Sequence, residues 1–138
     1  RIRRLANETD TTGSSLASDP AFLRKLAQLE INALAMETSE QRVLANLSAG
    51  NRPGSVSSVL NAISAETLQK ADELAIEVAA YYGLPYQPAA LEVRGPPAIG
   101  STMTLPLMPS YMNNRMRTIA GGSAEVQRNI VAKAILEL

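Results

Sequence analysis

A chain of 138 residues carries 13 basic and 13 acidic side chains, one domain's worth of sequence with no net field to draw nucleic acid or an anionic membrane surface. It has no cysteine and no histidine, which removes disulfides, the commonest zinc ligands and a histidine base. One Phe, four Tyr and no Trp leave few rings to stack on bases, and the richness in Ala and Leu is that of closely packed helices. No apolar run reaches the about 18 residues of a membrane span, and no signal segment is visible, so the expectation is a soluble, cytoplasmic protein without membrane insertion. The chain opens in mid-pattern at RIRRLANE with no initiator Met, and is read as a piece of a longer polypeptide.

Residues 1–9 read as the end of a helix, with Ile2 and Leu5 turned to a core and Arg1, Arg3 and Arg4 on a solvated face. The stretch TDTTGSSLASDP, residues 9–20, is hydroxyl-rich, contains Gly13 and reads as a loop. Asp19 followed by Pro20 is a helix start: the carboxylate caps free N–H groups, and Pro fits the first turn, where its missing N–H costs nothing. From there Phe22, Leu26, Leu29, Ala33, Met36, Leu44 and Leu47 recur at helical steps until Gly50. A helix over 20–49 would be about 45 Å long at 1.5 Å per residue. Glu30, Glu37 and Glu40 have the spacing of a di-iron carboxylate set, but no E-x-x-H accompanies them, so they are read as a solvated face.

The segment NRPGS, residues 51–55, is a short turn. A second long helix follows, lined by Val56, Val59, Leu60, Ile63, Leu68, Ala71, Leu74, Ala75, Val78 and Tyr82 and ending before Gly83. Short turns make such helices antiparallel neighbours. On it Lys70 lies four residues from Glu66 and three from Glu73, a spacing for exposed intrahelical ion pairs among Glu66, Asp72, Glu73 and Glu77. Residues 84–105 hold four prolines and two glycines, and no regular helix tolerates that. The length exceeds an ordinary connection, and Tyr86, Leu91, Val93 and Ile99 mark it as an ordered cover on the bundle or on another subunit. A helix is expected to begin near Ser110.

The last quarter, residues 111–138, reads as two helices broken at Gly121 and Gly122. Met112, Met116 and Ile119 form one core-facing stripe, and Val126, Ile130, Ala134 and Leu138 another. Ser123 is placed to cap the final helix. A helix starting there gathers unpaired N–H groups, a positive dipole end and a hydroxyl, which suits an anion or a cofactor hydroxyl. A plain helical hairpin would show the same spacing.

The run Arg115, Ile119, Ala120, Gly121, Gly122, Ser123, Ala124, Glu125, Val126, Gln127, Arg128, Asn129, Ile130, Val131, Ala132, Lys133 resembles the C-terminal helix hairpin of the acyl-CoA dehydrogenase family. The family pattern is close to R-x-x-x-I-Y-E-G-T-x-E-I-Q-R-N-I-I-A-K. The likeness is dense over 115–133 and looser but colinear back to about Asp19. It departs at Ala120, where the family has an aromatic, and at Gly121, where many members carry the acid that takes the α-proton of an acyl-CoA thioester. Glycine cannot accept a proton, so this chain supplies no catalytic residue: the base comes from another helix, or the subunit does not catalyse by itself.

The resemblance implies an all-α, up-and-down bundle of three or four long helices, with residues 1–138 as a C-terminal domain lacking its first bundle helix and the N-terminal and middle domains. It implies FAD as cofactor and α,β-dehydrogenation of an acyl-CoA to a 2,3-enoyl-CoA. Gly121 and Gly122 would lie beside the thioester, and Ser123 and Glu125 on the flavin nucleotide. Glu125, an acceptor only, would meet a ribose or ribityl hydroxyl and not a phosphate. Arg128 and Asn129 would hold the helix end. Weaker cofactor candidates are Glu77, Ala80 and Tyr81, colinear with a Q-x-x-G-G-x-G pattern that approaches a partner subunit's flavin, although a plain helix terminus covers them equally well. The implied partners are the rest of the subunit, a homo- or hetero-dimer or tetramer, acyl-CoA and an electron-accepting flavoprotein. A non-catalytic structural subunit of a heteromeric dehydrogenase stays open, and so does an unrelated helical adaptor.

Overall fold

The first long helix starts where Asp19 accepts a hydrogen bond from the Ala21 amide at 2.8 Å and Pro20 takes the first helical position. In the computed structural model, which describes residues 1–8, 16–52 and 54–137, this helix, α2, runs over Pro20–Ser48. A short α1, Ile2–Glu8, precedes it. Most of the hydroxyl-rich loop, residues 9–15, lies outside the described residues, as does Pro53 of the next turn. The end of α2 is set by Gly50: at φ 81° it lets its own amide reach the Leu47 carbonyl at 2.9 Å and the Asn51 amide reach the Asn46 carbonyl at 3.0 Å. That pair of bonds satisfies carbonyls that would otherwise end the helix unpartnered.

The chain then returns antiparallel as α3, Val56–Ala79, followed by a 3-10 turn at Ala80–Gly83 that takes Tyr82 out of the helix expected to hold it. After the irregular stretch come α4, Leu107–Asn114, and α5, Ala124–Ile135, with a 3-10 turn at Arg115–Thr118 between them. The fold is an all-α bundle whose length is concentrated in α2 and α3. Among the described residues there is no strand and no helix long and apolar enough to cross a membrane.

The core sits at one end of the α2–α3 pair. Leu5 and Ala6 of α1, Phe22 and Leu26 of α2, Leu74, Ala75, Val78 and Ala79 of α3 and Leu107 of α4 are buried together, with Ile2 and Leu29 packed against them. The distal half of α2 extends past this cluster, so Leu44 and Leu47 of the expected stripe are exposed, as are Ile31 and Leu34. On α3 the carboxylates do not pair within the helix at Lys70 spacing. Glu66 meets Arg128 at 2.6 Å, Glu73 meets Arg115 at 3.0 Å and Glu77 meets Lys25 at 2.6 Å. Cations from neighbouring elements reach these heads, and such half-exposed pairs fix register more than they stabilise.

Two further expectations are corrected, on the start of α4 and on the stripes of the last quarter. Helix α4 begins at Leu107, three residues before Ser110, because Pro109 falls in the first turn, where no intrahelical N–H is required. Leu138 lies outside the described residues, and the described members of the two stripes of the last quarter face outward. On α4 and the 3-10 turn that follows it the covered side is Leu107, Met108, Tyr111, Asn114 and Arg115, and Met112, Met116 and Ile119 are rotated away and exposed. On α5 the side against α3 is Ala124, Gln127, Val131 and Ala132, leaving Val126 and Ile130 outside. Residues 84–105 are ordered by Gln87, whose Nε2 donates to the Ile99 carbonyl at 3.2 Å while its Oε1 accepts from the Ile99 amide at 2.7 Å. Yet Tyr86, Leu91, Val93 and Ile99 themselves are exposed in this chain.

Candidate functional site

Ile119 ends the 3-10 turn after α4, and the chain reverses through Gly121 at φ 74° and Gly122 at φ 107°. Only a residue without Cβ takes two such conformations in succession without strain. Ser123 then returns to an extended conformation, and its Oγ accepts from the Val126 amide at a long 3.4 Å. Glu125 sits exposed in the first turn of α5. Its own backbone N–H, the Ser123 hydroxyl and, last, the Arg128 charge hold its pKa below the ordinary carboxylate value. The start of α5 therefore already carries an anion of its own. An incoming phosphate would have to displace Glu125, whereas a hydroxyl finds an acceptor carboxylate and a Ser hydroxyl side by side.

Behind the turn stand two amides that sequence patterning did not single out. Gln127, 8% exposed, sends Nε2 back across the turn to the Gly121 carbonyl at 2.9 Å. A Cβ on Gly122 would lie 2.5 Å from that nitrogen, so a side chain there would push the Gln127 amide aside, on top of the strain its φ imposes. A Cβ on Gly121 would lie 2.9 Å from Nδ2 of Asn61 on α3. The side-chain direction at position 121 thus points at α3, and the group it meets is an amide. Arg128 grips Glu66 of α3 at 2.6 Å, tying the helix end down, while Asn129 is exposed. Gln127 belongs to the quoted E-x-Q-R-N run, which was the only signal for it; Asn61 left none, since its role exists only once α5 crosses α3.

The second candidate set is elsewhere. The Glu77 carboxylate is taken by Lys25, Ala80 holds φ 47° and ψ −128°, and Tyr81 is 85% exposed. Glu77 is sixteen residues from Asn61 along α3, about 24 Å at 1.5 Å per residue, so one chain does not bring the two sets together. Glu30, Glu37 and Glu40 line an open groove of about 720 Å³ between the start of α1, α2 and α3, floored by Leu26, Leu29, Ala33, Met36, Ala65 and Leu68. Glu30 is held by both nitrogens of Arg3 at 2.9 and 2.8 Å. Among the described residues no three acidic side chains gather where a metal ion could sit.

No curated protein and no solved structure matches the chain. A family model described as acyl-CoA dehydrogenase, C-terminal domain, matches residues 1–136. The all-α bundle, the antiparallel α2–α3 pair and a final hairpin turning on Gly121 and Gly122 agree with that match over nearly the whole sequence, and the chain belongs to the acyl-CoA dehydrogenase family, as its C-terminal helical domain.

Proposed function

We propose that this domain serves a subunit catalysing flavin-dependent α,β-dehydrogenation of an acyl-CoA thioester to a 2,3-enoyl-CoA. The observation that carries the reading is the start of α5: in a chain of this family, Ser123 and Glu125 offer a hydroxyl and a carboxylate beside a turn of two left-handed glycines. That donor set fits the ribityl or ribose hydroxyls of FAD and does not fit its pyrophosphate, since Glu125 would repel it. FAD, when bound, supplies acceptance of the β-hydride. The share of this chain is positional: Ser123 and Glu125 hold hydroxyls, and Gly121 and Gly122 leave backbone room beside the thioester.

The proton acceptor lies outside this chain in the proposal. Gly121 offers none, and a side chain added there would first meet Asn61. The groove between α1, α2 and α3, whose lining includes Ser64 one turn from Asn61 and Arg117 four residues before Gly121, is where a preceding segment of a longer subunit would lie and bring a carboxylate to the turn. The exposed Met112, Met116, Ile119, Val126 and Ile130 support further burial against the rest of the subunit or a second subunit. An electron-accepting flavoprotein would reoxidise the cofactor.

The second reading is a non-catalytic structural subunit of a heteromeric dehydrogenase, and the side-chain direction at Gly121 is the observation that favours it. Anaerobic mixing of the full assembly with acyl-CoAs of varied chain and ring content decides. Flavin bleaching, with flavin counted per subunit, is expected for a catalytic subunit. No bleaching with any of them ends that reading and leaves the scaffold.

A further inference from the structure

Gln127 is nearly buried, yet its amide is spent neither on α3 nor within α5: Nε2 reaches six residues back to the Gly121 carbonyl at 2.9 Å. Gly121 and Gly122 have φ of 74° and 107°, and nothing in the glycines themselves selects those values, because glycine populates many. The selection comes from neighbours. Gln127 ties the Gly121 carbonyl from one side and fills the space where a Gly122 Cβ would stand, and Asn61 closes the other side of Gly121. The next residue is Ser123, the cap of α5, whose Oγ accepts from the Val126 amide and which lies two residues before Glu125 in the first turn. Any rotation of the turn therefore moves Ser123 and, through it, Glu125.

We propose that Gln127 is a positioning residue for FAD: through the Gly121 carbonyl it fixes the glycine turn, and the turn sets where the Ser123 hydroxyl and the Glu125 carboxylate point. This rests on the functional reading above and adds a residue that does not itself touch the cofactor. Gln127→Glu keeps the shape but, ionised, has no proton to donate and sets a carboxylate against the Gly121 carbonyl. Gln127→Met keeps the bulk and removes both polar atoms.

The test uses the full subunit in its native assembly, with three readouts: the FAD dissociation constant, the visible circular dichroism of bound flavin, and the melting temperature of the flavin-free protein. Loss of one hydrogen bond's positioning is expected to weaken FAD retention roughly three- to tenfold and to change the visible dichroism, with little change in flavin-free melting for Gln127→Met. Two results would overturn it: wild-type affinity and dichroism in both variants, or a flavin loss that only follows a lower flavin-free melting temperature. Should Gln127→Glu not fold, Gln127→Met decides by the same readouts. A wild-type assembly that holds no FAD at all is a different failure: it removes the functional reading, and this inference with it.

Discussion

Gln69 and Arg115 each hold the other's backbone: Gln69 Nε2 donates to the Asn114 carbonyl at 3.1 Å and the Arg115 carbonyl at 3.5 Å, while Arg115 Nη2 donates to the Gln69 carbonyl at 3.4 Å. Around this exchange Arg115 Nη1 meets Glu73 at 3.0 Å, the guanidinium lies 4.4 Å from the centre of the Tyr111 ring, and Asn114 Nδ2 donates to Asp72 at 2.8 Å. The clamp fastens the end of α4 to the middle of α3 six residues before the glycine turn, so the turn hangs from a fixed point.

Arg115→Ala is expected to destabilise the domain by about 1–3 kcal/mol, since it removes a shared set of bonds and leaves the Gln69 carbonyl and the Glu73 carboxylate without that partner. Arg115→Lys should recover little of this, because an ammonium has neither the planar fork nor the stacking face. Denaturant unfolding of the subunit, comparing midpoints at unchanged slope, measures it. A lysine variant as stable as wild type would show that charge alone matters there.

Ala80 sits at φ 47° and ψ −128°, a region that costs a residue with a Cβ. Ala80→Gly is expected to raise stability by about 0.5–1 kcal/mol, strain relief outweighing the greater freedom glycine gives the unfolded chain. A melting temperature that rises supports this, and one that falls shows the strain to be absent.

Gly121→Glu is expected to cost about 1–3 kcal/mol and to create no dehydrogenase activity. The φ of 74° is strained for any L side chain, and the new Cβ would run into Asn61, so the carboxylate starts out aimed at α3. Anaerobic flavin reduction by acyl-CoAs, with unfolding measured alongside, checks both halves; faster bleaching than wild type would contradict the side-chain direction found here.

The depressed pKa of Glu125 has a pH consequence of fixed sign. Its own amide and the Ser123 hydroxyl favour the ionised form in the folded state. The contribution is therefore complete above the ordinary carboxylate pKa of the unfolded chain, and it is lost as pH falls through the lower folded value. Acidification should loosen the first turn of α5, seen as lower protection factors for the Glu125 and Val126 amides once the slower intrinsic exchange at low pH is divided out, and Glu125→Gln should flatten that part of the acid dependence. An NMR titration placing the Glu125 carboxyl at or above its ordinary value would contradict it.

Much of the fold is legible in the amino-acid sequence alone. Asp19, Pro20 and Gly50 bound α2 within a residue, Gly121 and Gly122 mark the break, and Ser123 caps α5, because caps and left-handed glycines are local chemistry that the chain writes in sequence order. The direction of the apolar stripes was not legible. Met112, Met116, Val126 and Ile130 have helical spacing, and spacing tells that a face is apolar without telling which neighbour covers it; α3 took the face carrying Asn114, Arg115 and Gln127 instead. The candidate site divided in the same way. Ser123 was readable from its place at a helix start, and Glu125 was singled out only by the resemblance to the acyl-CoA dehydrogenase hairpin. Asn61 beneath Gly121 became visible only in three dimensions, since residues sixty positions apart meet where α5 crosses α3. The amide of Gln127 lies one turn into α5, but it reaches the Gly121 carbonyl only because that same crossing folds the two glycines back over it.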